Sequence, residues 1–259
     1  MWRIGRERAL LAGGQASLLL QLAHPLVASA VAGHSEFRSD PLRRLRRTLE
    51  ATLMITFGDT EQAKAAAEGV AAVHRRVHGR LPNACGAVPA GTPYNAADPE
   101  LGMWVHATLV ATALEVFGRF VRPLSAADRG RYYQESKRFA AMFGVPAEAM
   151  PDAYRGFEDY VRSMVEGRTL RVCDEARRLS LEILRPEVPG LRWAAGLGRV
   201  LTAGLLPPRF RRAYGLPWGL PQRILFESAR RSARVGLRAT PDRVRYWPHY
   251  LAARSRLTA

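Results

Sequence analysis

Lysine and cysteine are scarce in this 259-residue sequence. Lys64 and Lys137 are the only lysines among 39 basic residues, so arginine carries almost all of the formal net charge of +16. Cys85 and Cys173 fit no CxxC or CxxCH spacing. Their spacing excludes a thiolate zinc site and covalently attached c-type haem, and it gives no support to a disulfide framework. Two free thiols favour a reducing compartment.

Internal repeats, low-complexity tracts and alternating apolar-polar runs are also absent, and we find no convincing β-strand. Apolar residues recur at i, i+3 and i+4, the period of a helix that packs on a core. We therefore predict one all-α domain over residues 1–259. Helices are predicted at 5–22, 26–32, 41–57, 61–78, 99–120, 126–143, 151–166 and 170–184. Their ends are indicated by Ser39-Asp40-Pro41, Asp98-Pro99, Ser125 with Asp128, Gly58, Gly79 and Gly144.

The C-terminal third, about 168–259, is strongly basic. It holds 19 arginines, no lysine and six acidic residues, an excess of 13 positive charges. Such a surface suits anionic lipid, nucleic acid or an acidic partner, or it is a solvated arginine-rich face with buried ion pairs. No zinc-finger, RRM or KH signature accompanies the arginines, so nucleic acid is the less favoured partner.

Residues 9–35 contain no Asp, Glu, Lys or Arg and follow three arginines, as in a signal peptide or a membrane span. Gln15, Gln21 and His24 interrupt the run, and Pro25 breaks a helix there. We interpret the run as a pair of core helices. This interpretation predicts a cytoplasmic protein, with peripheral association with a membrane as an alternative.

Histidine is the most informative residue type. His24, His34, His74, His78 and His106 all lie in the first 106 residues, each in or beside an apolar helix. One such histidine is usually a hydrogen-bonded core residue, but five together favour a metal or haem site.

His74 and His78 are four residues apart and are predicted to share one helix face. The segment lacks the glutamate of HExxH, and Glu50, Glu61 and Glu68 do not provide the Glu-x-x-His spacing of a di-iron bundle. A haem needs only an axial imidazole and an apolar slot. On the preceding helix, Arg44, Arg47 and Thr48 either hold haem propionates and polarise dioxygen or form a solvated basic stretch.

Several motifs then occur in a fixed order along nearly the whole chain. They are His24-Pro25-x-Val27-Ala28, His34-Ser35, Asp40-Pro41, Arg44 to Thr48, Phe57-Gly58, His74-x-x-Val77-x-Gly79, Tyr94-Asn95-Ala96, Asp98-Pro99-x-Leu101-x-x-Trp104-Val105-His106 and, more loosely, Gly144-Val145-Pro146 and Pro248-His249-Tyr250 with Arg254. In combination they resemble the MpaB-type oxygenase family, which includes the latex-clearing rubber oxygenases.

The resemblance implies a globin-like helical fold that encloses a non-covalent haem b. It implies that His74 is the iron ligand, with His78 and His106 as alternatives, and that His24 and Arg44 also belong to the cofactor site. Arg44 and Thr48 match the distal arginine and threonine of the family, and Arg47 stands beside them.

Two departures from the family pattern bear on the substrate. Arg47 occupies the place of a distal lysine, and arginine cannot act as a base. The nearest acid after His24-Pro25 is Glu36, so the glutamate that the rubber oxygenases use as a base is not evident. The resemblance therefore implies a haem-dependent oxygenase that attacks a lipophilic small molecule with dioxygen, with an electron donor as a further partner. The alternatives are a non-catalytic haem or gas-binding protein, and a basic helical protein that binds a membrane surface or nucleic acid.

Overall fold

The computed structural model describes residues 1–34, 41–184 and 192–258, with side chains for all of these except 41–45 and 192–194. The chain forms helices α1 (Trp2–Gly5), α2 (Gly14–Leu22), α3 (Pro25–His34), α4 (Pro41–Phe57), α5 (Thr60–His74), α6 (Pro99–Val116), α7 (Ala126–Met142), α8 (Tyr154–Glu166), α9 (Asp174–Leu184), α10 (Arg192–Leu205), α11 (Pro208–Ala213), α12 (Leu220–Ala239), α13 (Asp242–Arg245) and α14 (Pro248–Thr258). Strands β1 (His78–Arg80) and β2 (Pro93–Asn95) form one antiparallel pair. The prediction of a mostly helical fold is confirmed, and the prediction that strands are absent is wrong.

Helix α6 lies at the centre of the fold. Asp98 begins it by accepting a hydrogen bond from the Glu100 amide at 2.8 Å, so the predicted start is confirmed. Trp104 is fully buried, and its indole nitrogen donates to the Leu20 carbonyl at 3.2 Å. This bond fixes α2 against α6 across the main apolar core.

The apolar stretch 9–35 packs inside the protein over its described part. Leu19, Leu22 and Ala23 are inaccessible to solvent. The predicted helix 5–22 is broken, because residues Arg8–Gly13 form a 3₁₀ turn. A side chain at Gly13 would meet Thr112 at 2.5 Å, so the close approach to α6 requires glycine there.

Among the described residues, the helical segment Pro99–Val121 is long and apolar enough to cross a membrane. Its most apolar 18-residue stretch is 61% buried inside the protein. The pair Arg8–Leu22 and Pro25–His34 passes the same test only if it is taken as one span bent by 106°.

The end of α5 differs from the prediction. The helix ends at His74, and His78 belongs to β1, so the prediction that these two histidines share a helix face is wrong. Gly79 pairs with Tyr94, and the Ala96 amide donates to the Val77 carbonyl at 2.9 Å. Ladder bonds to a distant segment thus replace the last turn of the predicted helix. A side chain at Gly79 would lie 2.6 Å from the Tyr94 hydroxyl, so Gly79 serves this packing and does not end a helix.

A disulfide joins Cys85 to Cys173, whose Cα atoms are 6.0 Å apart. The prediction of two free thiols is therefore wrong, and the argument for a reducing compartment falls with it. The cysteines are 88 positions apart, so no local spacing signals the pairing. Helix α9 begins at Asp174 and not at 170. Residues 170–173 before it have no regular secondary structure, and the Arg171 amide donates to the Ala23 carbonyl at 2.7 Å.

Candidate active site

Helices α4 and α5 form a hairpin that brings the candidate residues to one end. The two helices pack against each other along their length and are joined by Gly58 and Asp59, so they run antiparallel. Asp59 begins α5 with a reciprocal capping box with Gln62. His74 is the last residue of α5. Position 44 on α4 lies about as far from the Gly58 turn as His74 does. Thr48 lies about one turn closer to the Gly58 turn.

Helix geometry decides which residues of this hairpin face the interior. Residues seven apart are about two turns apart and share a face. Thr48 therefore shares the face of Ile55, and His74 shares the face of Ala67. Ile55 and Ala67 are buried together with Phe139 of α7, so this face of the hairpin is turned toward α7.

The inner face of α5 carries only small apolar side chains and is incompletely covered. Apart from the buried Ala67, the positions that share this face with His74 are half-buried: Ala63, Ala66, Val70 and Ala71. Burial lowers the pKa of the half-buried His74 below its ordinary value of 6.5. His74 is therefore a neutral imidazole at physiological pH, the form that binds a metal, beside a partly open apolar face.

The His106 ring is stacked against the Phe139 ring, and the two ring centroids are 6.5 Å apart. The Ser136 hydroxyl donates its proton to the Tyr133 carbonyl at 2.7 Å, so toward the His106 Nε2, 3.3 Å away, it can only accept. We infer that Nε2 carries the ring proton. Nδ1 is then an unprotonated nitrogen, buried and without a partner among the residues that the structure describes.

His24 is the second buried histidine whose Nδ1 atom forms no hydrogen bond with any described group. It lies at the corner between α2 and α3, where Pro25 begins the next helix. Burial lowers its pKa to about 4, against a smaller opposing effect of the Asp98 carboxylate. Asp98, whose charge acts on His24, caps the start of α6. The β1–β2 pair links the end of α5 to the same region, because the Ala96 amide, two residues before Asp98, donates to the Val77 carbonyl.

The remaining candidates do not all join this cluster. The His78 side chain is exposed, and its carbonyl accepts a hydrogen bond from His34 Nε2 at 2.9 Å. Arg47 is exposed and is rotated by about 80° from the Ile55 face, as 100° per residue requires. The Arg44 side chain and Glu36 lie outside the described residues. The structure thus stacks His106 on Phe139 and places His74 on the same face of α5 as Ala67, which packs with Phe139. It leaves His78, Arg47 and Thr48 exposed.

Sequence reasoning missed three residues of this site: Phe139, Ser136 and Tyr94 in its packing role. Phe139 and Ser136 are ordinary residues of α7 whose importance comes from a contact with α6, about 30 residues away. Only Tyr94 had a signal, since its motif and the Gly79 motif are two pieces of the family pattern that prove to be neighbours in space.

The histidines are suited to a haem and not to a metal held by protein alone. In residues 1–34, 41–184 and 192–258, no three side chains of the His, Cys, Asp and Glu types lie close enough together to hold an ion. A haem needs only one side-chain ligand from the protein, because the porphyrin nitrogens supply the four equatorial ligands of the iron. The neutral His74, the incompletely covered face of α5 and the orphaned Nδ1 atoms fit that requirement.

The two buried histidines predict a pH-dependent stability. The pKa of His106, like that of His24, is lowered by burial to about 4, against 6.5 in the unfolded chain. The unfolded state therefore binds more protons below pH 6.5, and the free energy of unfolding falls as the pH decreases toward 4. Each histidine is expected to cost about 2 kcal/mol between pH 8 and pH 5, as measured by urea unfolding.

The His106→Gln variant checks this assignment. It removes one titrating group and should flatten the decline between pH 6.5 and pH 5, whereas His34→Gln, at an exposed position, should leave it unchanged. Equal slopes in the wild type and in His106→Gln would contradict the prediction.

Comparison with known proteins agrees with the resemblance of the motifs. Rv2237 of Mycobacterium tuberculosis and Mb2261 of Mycobacterium bovis, both named only as uncharacterized proteins, are each 29% identical over 238 residues, which is 88% of this chain and 89% of the relative. No solved structure matches the chain. Residues 1–235 match the family described as "ER-bound oxygenase mpaB/B'/Rubber oxygenase, catalytic domain". The chain therefore belongs to the mpaB/B' and rubber oxygenase family.

Proposed function

We propose that this protein is a haem b-dependent oxygenase that uses dioxygen on a lipophilic small molecule. The observation that carries the proposal is the position of His74. It is a neutral histidine at the open end of a helix hairpin, beside an incompletely covered apolar face, in a chain that belongs to an oxygenase family. We further propose that the fold encloses the haem in the manner of a globin.

A bound haem b would supply the iron at which dioxygen is activated. His74 would hold the iron of that haem, because burial lowers its pKa and the nitrogen lone pair stays free at neutral pH. His106 would accept a hydrogen bond at the buried Nδ1 atom, which has no described partner. The donor of that hydrogen bond would be a polar group of the substrate or of a neighbouring ligand.

On α4, Arg44 and Thr48 would provide a cation and a hydroxyl donor. Position 44 and Thr48 are one turn apart on α4, on the helix face that carries Ile55. Donors fixed in an apolar pocket stabilise negative charge that develops on oxygen far more than they would in water. Arg47 cannot give up a proton, so it provides charge but no base.

The substrate is proposed from the walls of the site. Ile55, Ala67 and Phe139 are buried apolar residues, and Met142 and Phe143 pack beside them. Such walls select an apolar molecule. The arginine at position 47 and the absence of an evident glutamate base favour a small lipophilic substrate over polyisoprene.

A non-catalytic haem protein is the second candidate, and one observation favours it. His106 Nδ1 is an unprotonated nitrogen in the interior, so it would be a second histidine nitrogen able to hold the iron, besides His74. Iron held by two histidines has no open position for dioxygen.

The basic third of the chain gives less support to a nucleic-acid-binding function. Many of its arginines serve the fold: the carbonyls at helix ends accept hydrogen bonds from Arg209, Arg211, Arg234 and Arg256. The exposed face of α12 carries Leu220 and Ile224 beside Arg223. That mixture suits an anionic membrane surface better than a phosphate backbone.

Absorption spectra of the purified full chain with added haem test the proposal. We expect a Soret band, a ferrous form that is five-coordinate, and a spectral change when dioxygen is admitted. A ferrous spectrum with two histidine ligands that dioxygen does not alter would replace the oxygenase with the non-catalytic haem protein. Absence of haem binding, together with salt-dependent binding to anionic vesicles, would overturn both haem functions.

A further inference from the structure

A cleft of about 260 Å³ lies between the segment that precedes α9, α9 itself and α11. Its walls combine two kinds of residue. Leu170 and Phe210 are buried apolar side chains, and four arginines stand around them: Arg171, Arg177, Arg209 and Arg212. None of these lining residues has a role in the proposed oxygenase chemistry.

Arg209 is a fixed part of the wall. Its Nη1 atom donates to the carbonyls of Val165 and Gly167, and its Nη2 atom donates to the Leu170 carbonyl at 2.8 Å. The guanidinium also lies over the Phe210 ring at 4.9 Å. Its donors are therefore largely occupied by the backbone, while its charge remains beside the cleft.

The other three arginines are not neutralised. In the described parts of the chain, no carboxylate oxygen lies within 4 Å of the guanidinium of Arg171, Arg177 or Arg212. Arg178, the next residue on α9, shows the contrast, because it pairs with Glu175 at 3.2 Å. Three guanidiniums that face one small cleft repel one another, and a bound anion would relieve that repulsion.

Arg211, next to Arg212 in the chain, also lies among positive charges. The pKa of Arg211 is lowered, first by burial and then by the charges of Arg223, Arg119 and Arg212. Asp174 and Glu175 occupy the first turn of α9, so the helix amides there already have acidic neighbours. The attraction for an anion comes from the arginines.

The backbone that carries Arg171 is held from both sides. Its amide donates to the Ala23 carbonyl, and Cys173, two residues on, is joined by the disulfide to Cys85. The stem of Arg171 lies against Gly86, where a side chain would come within 3.1 Å of it. An arginine on a fixed backbone loses little freedom when it binds a ligand.

We propose that this cleft binds a phosphate monoester, with the phosphate on Arg171, Arg177 and Arg212 and a short apolar group on Leu170 and Phe210. A phosphate monoester carries nearly two negative charges and three acceptor oxygens at pH 7, which matches three guanidinium forks better than a carboxylate does. The volume admits the phosphate and a group about the size of a phenyl ring.

Calorimetric titration of the full chain with phenyl phosphate and with inorganic phosphate, at constant ionic strength, tests the site. We expect saturable binding of both, with phenyl phosphate the tighter. Arg177→Gln and Arg212→Gln should each weaken binding about tenfold, because each removes charge-assisted hydrogen bonds. Arg178→Gln is the matched control: it removes the same charge from the same helix, but from an arginine that is already paired.

Vesicles distinguish a lipid headgroup from a soluble ligand. If phosphatidic acid vesicles bind the chain and phenyl phosphate displaces them, the lipid phosphate enters the cleft. If the vesicles do not bind while phenyl phosphate does, the ligand is soluble. The proposal is overturned if neither phosphate binds saturably, or if Arg178→Gln weakens binding as much as Arg177→Gln. These arginines are exposed, so the variants should fold, and circular dichroism checks that they do.

Discussion

The His74→Ala variant is expected to lose its Soret band, with a fall in haem affinity of at least tenfold. The reason is that a neutral imidazole is the group that His74 offers, and alanine offers the iron nothing. Loss of a residue that merely orients a metal ligand already costs roughly 10–100-fold in affinity, and loss of the ligand itself should cost no less. Titration of the full chain with haem b, followed by absorption, measures the effect.

Two controls separate ligation from folding. His78→Ala changes an exposed histidine four residues away, on a strand and not on the helix, so its Soret band should match the wild type. Imidazole added to His74→Ala should restore the band, since the free base can enter the space that the side chain left. A purely structural defect would not respond to imidazole.

The series also tests the rival ligand. His106→Ala should keep haem and change only the fine position of the bands, since His106 is proposed to act through a hydrogen bond at Nδ1. If His74→Ala keeps a normal spectrum and His106→Ala loses it, then His106 is the axial ligand and the assignment is wrong.

Local chemistry made most of the helices predictable. Asp98 and Ser125 cap α6 and α7 as their residue types indicate, since each side chain accepts a hydrogen bond from a backbone amide two or three residues on. Gly144 has the positive φ of +80° that ends a helix. These signals lie within a few residues of the structure that they determine.

Features that depend on distant segments were not predictable in this way. The helical pattern of α5 continues to residue 78, yet α5 ends at His74, and His78 pairs with Asn95 of β2, 17 residues away. The disulfide depends on two loops 88 residues apart. The predicted grouping of His74 and His78 failed for the first of these reasons. The relation of α5 to His106 became visible only through Phe139 of α7, which packs with Ala67 of α5 and stacks on His106 of α6.

The second large effect is expected at Glu7, whose substitution by alanine should destabilise the protein by about 3–5 kcal/mol. Glu7 is 1% exposed and accepts a bidentate pair of hydrogen bonds from Arg245, with Nε–Oε2 at 2.9 Å and Nη2–Oε1 at 2.7 Å. The hydrogen bonds that Arg245 donates to the Glu7 carboxylate are the main cause of the raised pKa of Arg245. Alanine would leave that guanidinium largely buried and without its counter-charge.

A matched exposed pair calibrates the measurement. Asp159 and Arg162 are both more than half exposed on α8, so Asp159→Ala should cost less than about 1 kcal/mol. Urea unfolding of the two variants gives the comparison. A Glu7→Ala variant no less stable than Asp159→Ala would show that the buried pair contributes nothing net.

A double substitution decides how the pair acts. Replacing Glu7 and Arg245 together by methionine and leucine removes both charges and keeps the volume, so much of the lost stability should return. The consequence reaches the candidate site, because the same N-terminal segment places Trp2 against Phe57 at the end of α4, with ring centroids 5.5 Å apart. We therefore expect Glu7→Ala to loosen haem binding as well as the fold, and the double variant to recover both together. Recovery of stability without recovery of haem binding would mean that the charge itself, and not the packing of this segment against α4, sustains the site.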